Sequence, residues 1–187
     1  MFPFLFHKEN AVNLSDLPRE ALASKLLDIL GVHAPLSEAQ FAQVLDLAKE
    51  LLLRRLRRDM REETIVSSPV ALRDWLRLYC AELQHEVFLV LFLDTHLRLL
   101  DVEPMFRGTV TQTAVYPREV VKAALARNAT AVAFAHNHPA GVAEPSRTDE
   151  FLTATLKSAL ALVDVRVIDH FVVAGDRLVS MAERGLL

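Results

Sequence analysis

Cysteine is almost missing from this chain: Cys80 is the only one in 187 residues. A single thiol excludes an internal disulfide and a thiolate-based zinc cluster, and this usage fits a reducing cytoplasm. Glycine is scarce as well, with five residues and no two close together, so no GxG hairpin can be built. Long apolar runs are lacking. Nothing approaches the roughly 18 residues that a membrane helix needs, and the densest run, VFLVLFL at 87–93, has the length of a strand. The apolar opening MFPFLFHKEN carries no basic leader and no small-residue cleavage site, which argues against a secretory signal. An excess of one charge is missing too. The net charge is −3, and residues 1–63 hold 9 of the 21 basic and 10 of the 24 acidic side chains. Neither part offers an electrostatic reason for general nucleic-acid binding. What the chain does have is apolar material, 52% of residues with a mean hydropathy of +0.23. That composition suits a soluble cytoplasmic protein with one domain, or one domain and a helical appendage, and no membrane association.

The pattern along the chain divides it into a helical segment, 1–66, and an α/β domain, 67–187. SDLPREALASKLLDILG offers Ser15 or Asp16 as a cap and Gly31 as a stop. A longer helix follows from Ser37, with Leu45, Ala48, Leu52 and Leu56 on one face. Arg54, Arg57, Arg58 and Arg61 share another face, either solvated among Asp59, Glu62 and Glu63 or docking an anion or a partner. SSPVALRDWLRLYCAELQ predicts a helix capped by Ser68 with Pro69 in its first turn, where Trp75 and Cys80 read as packing residues. Two β-rich runs then break near Asp94–His96. Helix 117–128, the short strand TAVAFAHNHP, helix SRTDEFLTATLKSALALV and the strands VRVIDHFVVAG and RLVS complete an alternating α/β order.

Chemistry concentrates at 136–149, HNHPAGVAEPSRTD. Residues two apart on a strand point to the same side, so His136 and His138 would leave the strand end together while Asn137 faces away. Ser146 is an N-cap candidate, and Asp149 then lies in the first turn of the next helix. A loop PAGVAE between them can fold that carboxylate back over the strand end. Two imidazoles and one carboxylate with a fourth place open to water form a catalytic rather than a structural zinc pattern. The same residues also read as a capping box with Asp in place of Glu, with no metal needed. A proton carrier is required for hydrolysis. Glu86, at the entry to 87–93, is one candidate, and Glu82, Glu103 and Glu119 compete with it. His170 either orients a ligand from behind or is a core histidine satisfied by the backbone.

EVFLVLFLD, GTV at 108–110, YPREVVKAAL, AFAHNHPAG, EPSRTD, VIDHFVV and SMAERGLL occur in that order over about residues 67–187. Together they resemble the RadC family, a bacterial branch of the JAB/MPN metalloprotease-like (JAMM) domains. The resemblance implies a deaminase-like α/β/α sandwich with Zn2+ held by His136, His138 and Asp149. It also implies Glu86 as general base and acid, and Ser146 as a stabiliser of the oxyanion. A true deaminase would need a PCxxC pair, which one cysteine excludes. Two departures stand out: Ala140 where the family more often has Ser, and a segment 1–66 without the family's helix-hairpin-helix.

The resemblance implies a zinc-dependent hydrolase of a peptide or isopeptide bond, with a protein or peptide as substrate and partner. A DNA repair or recombination accessory role and a non-catalytic metal-containing scaffold are the alternatives. The N-terminal helices are a candidate homodimer contact.

Overall fold

A computed structural model of the chain describes residues 19–29, 31, 36–65, 69–108 and 114–187. The expected caps Ser15, Asp16 and Ser68 lie outside the described residues. The chain forms two compact units, Met1–Asp46 and Leu47–Leu187. In the first, α1 (Arg19–Ile29) is followed by Gly31, whose φ of 67° is one that L side chains rarely adopt. Helix α2 (Glu38–Glu62) starts in this unit. Ser37 caps it: Gln40 N–H donates to Ser37 Oγ at 3.3 Å, and Ser37 N–H donates to Gln40 Oε1 at 2.9 Å. This reciprocal pair is a capping box.

The second unit begins midway through α2. Its inward residues are Leu53, Leu56 and Met60, spaced at i, i+3 and i+7 as a helix stripe requires. The stripe differs from the expected one, because Leu45 and Leu52 are 44% and 51% exposed. Leu52 is followed directly by Leu53, and apolar neighbours leave the helical period ambiguous until something packs against one of them. Arg57 departs from the expected arginine face as well. Its guanidinium lies 5.5 Å above the Trp75 ring, a cation–π contact, while Arg54, Arg58 and Arg61 stay exposed.

Helix α3 (Pro69–Cys80) buries Ala71, Leu72, Trp75, Leu76 and Cys80. Burial pushes the Cys80 thiol up to about 12, so it behaves as a small apolar group. The strands are β1 (Val87–Leu93), β2 (Leu99–Arg107), β3 (Ala131–Asn137), β4 (Arg166–Ala174) and β5 (Arg177–Ser180), with α4 (Pro117–Ala126) before β3 and α5 (Arg147–Ala161) after it. They form one sheet in the order β2-β1-β3-β4-β5. Only the β3–β4 pair is parallel, with α5 as its crossover.

Strand alternation divides the core. Leu89, Leu91, Leu93 and the alanines 131, 133 and 135 share a cluster with α3. Phe88, Val90, Phe92, Val132 and Phe134 pack with Val120 and Ala124 of α4 and Leu156 and Leu160 of α5. The result is a three-layer α/β/α arrangement. Every residue of β1 is buried, because a strand covered on both faces needs apolar side chains in both directions. Among the described residues no helix is long and apolar enough to cross a membrane.

The exposures predict two contrasting substitutions. Leu91→Ala, at a fully buried position, should destabilise by about 2–5 kcal/mol, read as a lower urea midpoint with the slope unchanged. Leu52→Ala should stay within about 0.5 kcal/mol of the parent.

Candidate metal centre

The centre lies where β3 ends and α5 begins. Within β3, His136 shares parity with Phe134 and faces the α4/α5 side, its ring 6.5 Å from that of Phe88. His138 lies just past the strand and keeps one more ladder bond, donating its N–H to Val173 O at 2.8 Å. Gly141 N–H then donates to His138 O at 3.0 Å, and Gly141 has a φ of 85°, the left-handed region that suits glycine. The loop returns to Ser146, the N-cap of α5.

Ser146 and Asp149 form the reciprocal box. Asp149 N–H donates to Ser146 Oγ at 3.2 Å, and Ser146 N–H donates to Asp149 Oδ2 at 2.7 Å. Ser146 Oγ–H also donates to Asp149 Oδ2, at 2.6 Å. The box does not exclude a ligand role. Asp149 Oδ1 lies 3.3 Å from His136 Nε2, and Oδ2 lies 3.7 Å from His138 Nε2. Partial burial pushes the Asp149 carboxyl up, but His136 and the Ser146 hydrogen bonds outweigh it and hold the group well below the usual carboxylate range. It is therefore an anion at the N-terminus of a helix, where the dipole also favours negative charge.

The two Nε2 atoms are 2.9 Å apart. His138 Nδ1 faces the Val142 carbonyl oxygen at 2.7 Å. A carbonyl only accepts, so the proton of a neutral His138 sits on Nδ1 and its Nε2 presents a lone pair. One donor atom from each of His136, His138 and Asp149 falls within 4.8 Å of the others. Two imidazoles and a carboxylate at this spacing suit one ion with ligand distances of about 2.0–2.2 Å. The donor set fits zinc, with nitrogen and oxygen ligands and no thiolate.

Glu86 immediately precedes β1, which lies directly beside β3 with Phe88 opposite His136. By alternation Glu86 shares the face of Phe88 and His136, and it is half-buried. Its three rivals are engaged elsewhere. Glu103 pairs with Arg127 at 2.6 Å, Glu119 with Lys122 at 2.8 Å and Glu82 with Lys49 at 2.8 Å.

One residue in the motif does more than its spacing suggested. Asn137 turns away from the histidines, and its side chain clamps the strand entry on the other face. Val87 N–H donates to Asn137 Oδ1 at 2.8 Å, and Asn137 Nδ2 donates to His85 O at 2.9 Å. These bonds bracket Glu86 in the chain, while Gly108 N–H holds the Glu86 carbonyl at 2.8 Å. The signal available in the sequence was its parity: a buried amide beside a ligand strand must find backbone partners.

A model of the RadC-like JAB domain matches residues 66–186, a stretch that holds every one of these side chains. The chain belongs to the RadC-like JAB domain family. Among its curated relatives, a UPF0758 protein of Leptothrix cholodnii is 58% identical over 153 residues, 82% of this chain and 67% of that protein. One from Methylibium petroleiphilum is 59% identical over the same shares. Another from Dechloromonas aromatica is 54% identical over 167 residues, 89% of this chain and 74% of its own length. The matches thus span about two thirds to three quarters of these relatives, and their names state no activity. The JAB match starts at 66, whereas the second compact unit takes in α2 from Leu47.

The Asn137 clamp predicts a local loss. Asn137→Ala leaves the buried Val87 N–H without its acceptor and should destabilise by about 1–3 kcal/mol. Hydrogen exchange should show the loss as faster exchange at the Val87 amide.

Proposed function

We propose that this RadC-like JAB domain is a zinc-dependent hydrolase that cleaves a peptide or isopeptide bond in a protein or peptide substrate. The observation that carries the reading is the convergence of His136 Nε2, His138 Nε2 and the Asp149 carboxylate on one point, at the end of the strand that pairs with the one Glu86 precedes. When bound there, zinc would acidify a water to a pKa of roughly 7 and polarise a substrate carbonyl.

The chain's own residues supply the rest. His136, His138 and Asp149 would hold the ion. The Glu86 carboxylate takes a proton from the attacking water as oxygen bonds to the carbonyl carbon. It returns that proton to the amine nitrogen as the C–N bond breaks, so atoms and charge balance. Ser146 is exposed beside the site, and its hydroxyl now donates to Asp149 Oδ2. Donation to a substrate oxyanion would require this hydroxyl to turn, so holding Asp149 in place is its resting role.

The DNA-accessory alternative draws on the exposed Arg54, Arg58 and Arg61. Arg54 already pairs with Glu50 at 2.6 Å, and Arg57 is committed to Trp75, which leaves a narrow basic patch. Duplex binding at physiological salt that is lost on charge reversal of Arg58 and Arg61 would favour that alternative.

The purified 187-residue chain should carry about one zinc, with His136→Ala abolishing retention. Glu86→Gln should keep the metal and lower the rate of hydrolysis of a peptide or isopeptide substrate by about 10²–10⁴-fold. A parent that binds no zinc, or a Glu86→Gln variant as active as the parent, would overturn the reading.

A further inference from the structure

Behind His136 lies a buried polar chain that runs back into helix α5. His136 Nδ1 is 2.8 Å from His170 Nε2, and His170 Nδ1 is 2.6 Å from Thr153 Oγ1. Thr153 Oγ1 in turn is 2.6 Å from the backbone oxygen of Asp149, one helical turn earlier. His170 and Thr153 are 0% and 1% exposed, so no solvent satisfies them. The path starts and ends on residues of the metal centre.

The direction of the protons follows from counting donors. A carbonyl oxygen only accepts, so the single hydroxyl proton of Thr153 points to Asp149 O. The other neighbour of that hydroxyl, Met181 Sδ at 3.8 Å, is a far weaker acceptor. Having spent its proton, Thr153 Oγ1 accepts from His170, which places the His170 proton on Nδ1. His170 is fully buried with its two ring nitrogens facing His136 and Thr153, so no anion meets the ring to hold a second proton, and its Nε2 has only a lone pair. His136 must then donate from Nδ1, and in its neutral form it turns an Nε2 lone pair toward His138 and Asp149.

The ring of His170 is kept in this orientation. Phe88 and Phe134 meet it edge-on, with centroids 5.5 and 5.7 Å away. Its backbone is pinned at both ends: His170 N–H donates to Asp169 Oδ1 at 2.7 Å, and His170 O accepts from Met181 N–H at 2.9 Å. Turning the ring over would present two carbons to Thr153 and His136.

We propose that Thr153 and His170 are positioning residues, a one-way hydrogen-bond relay from the Asp149 carbonyl that fixes His136 as its Nδ1–H tautomer and aims its Nε2 into the site. Asp149 thereby serves twice, as a donor through its carboxylate and as the anchor of the relay through its backbone. The consequence for metal affinity rests on the zinc-site reading; the tautomer does not.

The test reads the two separately on the 187-residue chain as purified. Nitrogen-15 imidazole NMR near neutral pH should show His170 protonated on Nδ1 in the parent and in Thr153→Ser. Thr153→Val, close in shape but without the hydroxyl, should lose that preference. Chelator competition should find zinc affinity lowered about 10–100-fold in Thr153→Val and within about threefold of the parent in Thr153→Ser. A parent His170 protonated on Nε2 overturns the relay with no variant needed. So does a Thr153→Val chain that keeps both the parent's tautomer and its affinity. A parent with the expected tautomer that binds no zinc would leave the relay standing and remove the zinc reading instead.

Discussion

The antiparallel pairing of β1 with β3 is the constraint on which the rest of the structure hangs. It joins two strands buried along their whole length, with Phe88 of β1 opposite His136 near the end of β3. Slipping this pair by one residue would turn every side chain of β1 to the other face, so Phe88, Val90 and Phe92 would leave α4 and α5 for α3. The core therefore holds the register, and the register sets Glu86, just before β1, beside the end of β3 that carries His136. Asn137 locks the same pairing at its open end through Val87 and His85.

Helix α5 serves the site in three ways through its first two turns or so of backbone. Its N-cap Ser146 holds the carboxylate of Asp149, its first turn places that carboxylate against both imidazoles, and Thr153 ties its backbone to His170. Helix start and candidate metal centre are thus one object. The capping box pre-sets the rotamer of Asp149 in the conformation that faces the histidines.

Several of these features were legible before any coordinates. The period-2 parity of His136 and His138, the cap at Ser146 and the alternating order of strands and helices follow from local geometry that neighbouring residues decide among themselves. Helix α2 shows the opposite case. Leu51, Leu52 and Leu53 are adjacent, and only Leu53 packs into the core, because the choice belongs to the surface that receives the helix. Arg57 shares the spacing of the exposed arginines, and nothing local announces that Trp75 lies beneath it. His170 could be read either as a core histidine or as a support for a ligand, and its position between His136 and Thr153 gives both descriptions to one residue.

By itself, the amino-acid sequence determined the strand and helix order and the ligand types at 136–149, and it carried the motifs that mark the family. These depend on spacing along the chain and on side-chain chemistry. Tertiary structure alone decided which acids are taken up in ion pairs, which leucine of α2 packs inward, and what lies behind His136. Those outcomes join residues 33 to 52 positions apart, as in Lys49–Glu82, His136–His170 and His85–Asn137. Such contacts form only where buried apolar faces bring distant strands together, and no local pattern encodes which polar groups will meet there.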